Sequence, residues 1–153
     1  MLHINIICIG KLKEQYLKDA LNEYSKRLYK YCSLKIIELP DEKVPENLNA
    51  NIINKIKEIE SNNILSHIKN NSYTIALDLH GKQLSSEEFS LKIENIALNN
   101  NSNINFIIGG TLGLSDKLLK QATELISFSK MTFPHQLMRV ILLEQIYRGF
   151  RII

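Results

Sequence analysis

Five short apolar runs, each followed by a stretch whose apolar residues recur at helical spacing, constrain this chain more than any other feature of its 153 residues. Ile4, Ile6, Ile7 and Ile9 form the first run, which stops at Gly10. Leu17, Ala20, Leu21, Tyr24, Leu28 and Tyr31 then fall on one face of an amphipathic helix. Residues 34–39 read as a second strand, closed by Pro40-Asp41 and a polar loop through 51. Ile52, Ile53, Ile56 and Ile59 begin a helix that ends near Ile68. A third strand spans 73–79, and Gly81 marks a turn after it. Ser85 with Glu88 is a capping box, backed by the apolar face Phe89, Ile93, Ile96 and Ala97. A loop over 99–103 leads to a fourth strand, 104–108. Ser115 caps a short helix carrying Leu118 and Ala122, and 125–128 is the fifth strand. Pro134 opens a long last helix, in whose first turn its missing N–H is no loss. This alternation predicts an α/β fold: a mostly parallel sheet with helices on both faces.

A chain of this length with 44% hydrophobic residues can bury one core, so a single domain over 1–153 is expected. No apolar run approaches the roughly 20 residues that span a bilayer, so no membrane partner is expected. The start Met1-Leu2-His3-Ile4-Asn5 has no charged leader before an apolar stretch, which points to the cytoplasm. Cys8 and Cys32 are then expected as reduced thiols, and no Cys/His cluster has metal-ligand spacing. The formal charge of +3 is carried entirely by residues 130–153, where Lys130, Arg139, Arg148 and Arg151 face only Glu144. Such a segment suits an anionic partner such as RNA, although charge alone favours a solvated helix face.

In open α/β sheets, ligands bind beyond the carboxyl ends of the strands. Three of these ends are rich in chemistry: 77–82, 108–113, and 128–135. Gly109, Gly110 and Gly113 leave the backbone bare for a flat ligand, though glycines after a strand often mark only a turn. Neither the G-x-G-x-x-G fingerprint nor a P-loop is present, which argues against ordinary dinucleotide and triphosphate enzymes. His135 and Arg139 lie one turn apart on the last helix. Arg148 follows Glu144 by four residues, so an ion pair competes with a functional role for it. Asp78 and His80 offer a proton-transfer pair, but no serine or cysteine nucleophile accompanies them, and a hydrolase is not expected.

The stretch Ile107-Ile108-Gly109-Gly110-Thr111-Leu112-Gly113-Leu114 closely resembles the ribosomal RNA large subunit methyltransferase H family, of the SPOUT class of knotted methyltransferases. So do residues 125–140, with Phe128-Ser129-Lys130-Met131-Thr132-Phe133-Pro134-His135, and Leu143-Glu144-Gln145-Ile146-Tyr147-Arg148. Ile9-Gly10-Lys11-Leu12-Lys13, Leu77-Asp78-Leu79-His80-Gly81-Lys82 and Ser85-Ser86-Glu87 match as well, so the resemblance covers essentially the whole chain. It implies a SPOUT-like fold with a C-terminal trefoil knot, roughly over 73–153, and a homodimer. It implies S-adenosylmethionine bound at Leu77, Gly109 and the segment Phe128, Ser129, Lys130, Met131, Thr132 and Phe133, and with no metal-ligand cluster in the sequence no metal is expected there. The implied reaction is methylation at N3 of a pseudouridine in 23S ribosomal RNA. The implied partner is large-subunit RNA or the assembled ribosome, not DNA.

Catalytic roles are expected for Arg148, holding phosphate or developing charge, and for His135 and Arg139, orienting the RNA, with His135 also a candidate for proton transfer. Two departures stand out. Gly149 occupies a position where the family usually has alanine, and the family's short tail with a Tyr-His pair, implied to complete the site across the dimer, has no counterpart in this sequence. The second departure raises an alternative: a cofactor-binding, ribosome-associated module with weak or no activity. A methyltransferase of the same class acting on transfer RNA is a further alternative.

Overall fold

The computed structural model describes residues 1–99 and 102–153. Five strands alternate with five helices: β1 (His3–Ile9), α1 (Gln15–Leu28), β2 (Ser33–Leu39), α2 (Ala50–Ser66), β3 (Tyr73–Gln83), α3 (Ser86–Leu98), β4 (Asn103–Ile108), α4 (Asp116–Gln121), β5 (Glu124–Ser127) and α5 (His135–Ile152). The strands form one sheet in the order β2-β1-β4-β3-β5, and every pairing is parallel. The α/β fold with helices on both faces is therefore what the alternation predicts. Of the expected loop at 99–103, residues 100 and 101 lie outside the described residues, and Asn103 already belongs to β4.

Alternation along the strands separates two cores. Ile4, Ile6 and Cys8 of β1 point with Phe106 toward α1, α3 and α5, where they meet Leu17, Leu21, Phe89, Ile93, Leu142 and Ile146. Ile7 and Ile9 point the other way with Ile107 and Ala76, under Ile64 of α2 and Leu118 of α4. Both cysteines are unpaired and buried, and burial pushes each thiol up to about 11, which leaves them unreactive near neutrality. Two caps fall where the sequence places them: the Ser85–Glu88 box closes at both ends, and Ser115 accepts from Leu118 N. The second helix starts at Ala50, inside the expected loop, because the Asn49 side chain accepts from Ile52 N and caps it there. Pro134 sits just before the first helical residue of α5 rather than inside its first turn.

The third strand departs from expectation. It does not end at Leu79 with a turn at Gly81 but continues to Gln83, and its pairing with β5 skips. Ile126 of β5 pairs with both Leu77 and Lys82, so residues 78–81 bulge out of the ladder. A Cβ on Gly81 would lie 2.6 Å from the Ile126 backbone, so only glycine lets the chain rejoin β5 there. From β5, at the sheet edge, the chain returns across the strand ends. Four residues into α5 it reaches β1, three strands and about 14 Å away, where the Arg139 side chain meets the Ile9 and Gly10 carbonyls.

Candidate active site

A cavity of about 500 Å³ opens at the carboxyl ends of β3, β4 and β5, a volume within the usual range for cofactor sites. One side is the β3 bulge, with Leu77, Asp78 and His80. Asp78 accepts from the His80 backbone N at 3.1 Å, so this carboxylate shapes the bulge and is not paired with the imidazole. A second side is the turn after β4. Gly113 N donates to Gly110 O at 3.1 Å, and Gly113 has φ +89°, a conformation that side chains disfavour. A Cβ on Gly109 would fall 2.9 Å from Leu114 Cδ2, so this bare backbone lets Leu114 fold down into the cavity wall.

The segment after β5 closes the third side. Ser127 Oγ donates to Ser129 O at 2.9 Å, and Met131 N donates to Ser129 Oγ at 3.0 Å. These bonds tighten the segment. Phe128, Ser129, Met131, Thr132 and Phe133 line the cavity, whereas Lys130 is exposed and not part of the lining. Leu77 and Gly109 line it as well, so of the residues expected to hold the cofactor only Lys130 falls outside. Met131 is 73% exposed and stands at the mouth.

Of the three expected catalytic residues, the cavity includes one. His135 lines it at the start of α5, together with Met138. Burial, followed by the nearby Arg139 charge, pulls the His135 pKa below its ordinary value, with Asp41 opposing in part. A depressed pKa keeps the imidazole neutral at pH 7, the form that can accept a proton. Arg139 faces the core instead of RNA. It is wholly buried, donating through Nη1 to Glu38 Oε2 at 2.7 Å and through Nη2 to the carbonyls of Ile9 and Gly10 at 2.8 Å each. Its role here is to tie α5 to the ends of β1 and β2. Arg148 lies thirteen positions from His135, about 20 Å along the same helix. Its guanidinium binds Glu144 Oε1 at 2.5 Å, the ion pair that the four-residue spacing allows. With Arg139 buried, Arg148 paired and Arg151 bonded to the Tyr31 hydroxyl, much of the basic segment is already engaged.

Sequence reasoning missed Lys57 and Asp116, which reach the cavity from α2 and α4. It also missed Glu60, buried beneath Gly110 with Oε2 accepting from Glu42 N at 2.9 Å and Oε1 unpartnered. Burial raises the pKa of that carboxyl. No spacing signal in the sequence marks these three, because only packing brings α2 and α4 to the strand ends. Among the described residues, no group of three or more metal-ligating side chains occurs, and no helix is long and apolar enough to cross a membrane.

The model of a family described as predicted SPOUT methyltransferase matches residues 2–153. The chain is 60% identical over 152 residues to a ribosomal RNA large subunit methyltransferase H of Clostridium botulinum (strain 657 / Type Ba4), covering 99% of this chain and 96% of that protein. It is 59% identical over 151 residues to the protein of the same name from Clostridium acetobutylicum, with 99% and 95% covered. Among solved structures it is similar to a probable methylase family protein from Haemophilus influenzae Rd KW20, with TM-score 0.54 and 11% identity, covering 97% of this chain and 66% of that one. That likeness concerns the fold alone. The family match and the identity along nearly the whole length lead to one conclusion: the chain belongs to the SPOUT methyltransferase family.

Proposed function

We propose that this protein transfers a methyl group from S-adenosylmethionine to N3 of a pseudouridine in 23S ribosomal RNA, acting on large-subunit RNA or the assembled ribosome as a cytoplasmic homodimer. The observation that carries the reading is the cavity at the ends of β3, β4 and β5, in a chain 60% identical to proteins named as methyltransferases of that RNA. The residues fit the cofactor. Leu77, Leu114 and Met131 supply apolar walls for an adenine, and the glycine turn offers backbone groups that no side chain covers. Ser129, Thr132 and Phe133 complete the lining. In this reading 1–153 is one domain and 73–153 is the knotted region. The crossing from β5 to the end of β1 is the kind of path a trefoil requires.

When bound, the cofactor supplies a methyl group on a sulfonium, electrophilic enough that no covalent enzyme intermediate is needed. The chain's own residues then have two tasks. The imide N3–H must lose its proton, and in this reading the neutral imidazole of His135 takes it, supported by its position in the cavity lining. The base must be held while it carries negative charge, which a fixed guanidinium does well. Arg148 does not line the cavity that holds His135 and lies about 20 Å from it along α5, so in this reading it serves the partner subunit's cavity. A module that binds without catalysing is not favoured, since the relatives named as methyltransferases match along nearly the whole chain.

Mass-spectrometric mapping of ribosomal RNA with and without the protein tests the reading. One methylated pseudouridine in 23S RNA should appear only with the protein, and Arg148→Ala should sharply reduce it while cofactor affinity stays nearly intact. An unchanged modification map, or methylation confined to transfer RNA, would overturn the proposal.

A further inference from the structure

A second, smaller cavity of about 210 Å³ adjoins the first and shares Ile126, Phe128 and Phe133 with it as common walls. Its volume falls below the roughly 300–1,000 Å³ of pockets that take cofactor-sized ligands, so it is sized for a single small ring system. Phe89, Phe128 and Phe133 line it, with the first two edge to face at 6.1 Å. Phe89 is buried and backs the slot, while the half-buried Phe128 and Phe133 can offer ring faces to a nucleobase, a contact that does not depend on sequence. Among them stands one polar pair, in which Ser86 Oγ donates to Gln145 Oε1 at 2.7 Å. Gln145 Nε2 also donates to Glu144 Oε2 at 2.8 Å. The amide still has one N–H and one oxygen lone pair uncommitted, a donor beside an acceptor.

We infer that this cavity receives the target pyrimidine and that the Gln145 amide reads the edge on which a ring N–H adjoins a carbonyl. The inference rests on the pseudouridine reading above and locates the base within it. In pseudouridine the sugar is attached through carbon, which leaves N1–H free beside the C2 carbonyl. Gln145 matches that edge with its oxygen and its N–H. N3–H lies on the other side of the same carbonyl, so it remains free to face the shared wall and the cofactor cavity. Uridine has its sugar on N1 and lacks the donor. Gln145 is thereby a specificity-determining residue, selecting the base whose N3 is to be methylated.

The test is an NMR titration of the whole protein, saturated with S-adenosylhomocysteine, by pseudouridine and by uridine at millimolar concentrations. Pseudouridine should shift the Gln145 side-chain amide and the rings of Phe89 and Phe133, and should bind about tenfold more tightly than uridine, as expected for one lost buried hydrogen bond. Gln145→Leu should erase that preference and lower kcat/KM on ribosomes about tenfold or more, with cofactor affinity unchanged. No shift at these residues, or equal response to both nucleosides in the wild type, overturns the inference without requiring any variant to fold. If the nucleoside shifts appear but ribosomes are not methylated, the base slot stands and the ribosomal reading fails. If ribosomes are methylated and no shifts appear, the reverse holds.

Discussion

Arg139 and His135 stand one turn apart on α5, yet the fold gives them opposite surroundings. Arg139 is sealed against Glu38 and two backbone carbonyls, with its Nε unpartnered. Replacing it with Met keeps the volume but takes the guanidinium from both carbonyls and from Glu38, which is left with the Leu12 N–H. Leaving such buried acceptors without a donor costs about 1–3 kcal/mol. Urea denaturation of Arg139→Met should show it, and a change below about 1 kcal/mol would mean the clamp is dispensable. His135 contributes a pH dependence near neutrality. Its native pKa lies below the ordinary value of 6.5, so the unfolded chain binds its proton first as pH falls. The native state accordingly loses stability as pH drops below about 6.5 toward the native pKa, and regains it as pH rises. If His135 takes the substrate proton, the acid limb of methyl transfer also lies below pH 6.5, and His135→Asn should flatten it. An unaltered limb in that variant would assign the proton to another group.

At the scale of elements, two glycines have different consequences. Gly81 is required by the β3 bulge, because the backbone of β5 occupies the space of its side chain. Gly149 in α5 is not required. A Cβ there would meet Ile93 Cδ1 at 3.5 Å and Ser90 Cα at 3.7 Å, which are ordinary contacts. The bond from Ser90 Oγ to Gly149 O uses the backbone and survives substitution. Gly149→Ala should therefore stabilise the protein by up to about 1 kcal/mol through helix propensity, raising Tm by about 2–4 °C. A lower Tm in calorimetry would show that α3 and α5 pack too closely for a methyl group. The bulge itself was hidden in the sequence. Leu77 to Gln83 shows a strand and a glycine, and a glycine after a strand reads first as a turn. Its true role depends on β5, more than 40 residues away.

For the molecule as a whole, the separation of His135 and Arg148 along α5 decides how a site could be assembled. If Arg148 serves the partner's cavity, two inactive variants should rescue each other. Gly109→Val forces a branched side chain onto Leu114 and spoils its own cavity. Arg148→Ala leaves its cavity intact but gives nothing to its partner. In a 1:1 coexpressed mixture, half the dimers are mixed and each has one complete site, so about a quarter of the wild-type methyl transfer should return. Activity no higher than either variant alone would place Arg148 outside catalysis or within its own subunit. Light scattering of the wild type must show a dimer for the experiment to have its meaning, and a stable monomer at micromolar concentration would remove the basis of the proposal.

Local patterns in the sequence were enough to specify the α/β alternation, the two-sided burial of the strands and the caps at Ser85 and Ser115, because each depends on residues within a turn or two of one another. The family resemblance further named most of the segments that line the large cavity. The orientation of individual side chains was another matter. Lys130 turns outward because Ser127 and Ser129 fold the segment on itself, and Arg139 turns inward because the crossing from β5 brings α5 against the end of β1. Lys57, Glu60 and Asp116 gain their surroundings only when α2 and α4 dock beside the glycine turn. A charge pattern records which groups exist, but their burial and partners are set by strands and helices distant in the chain, and those only the tertiary structure brings together.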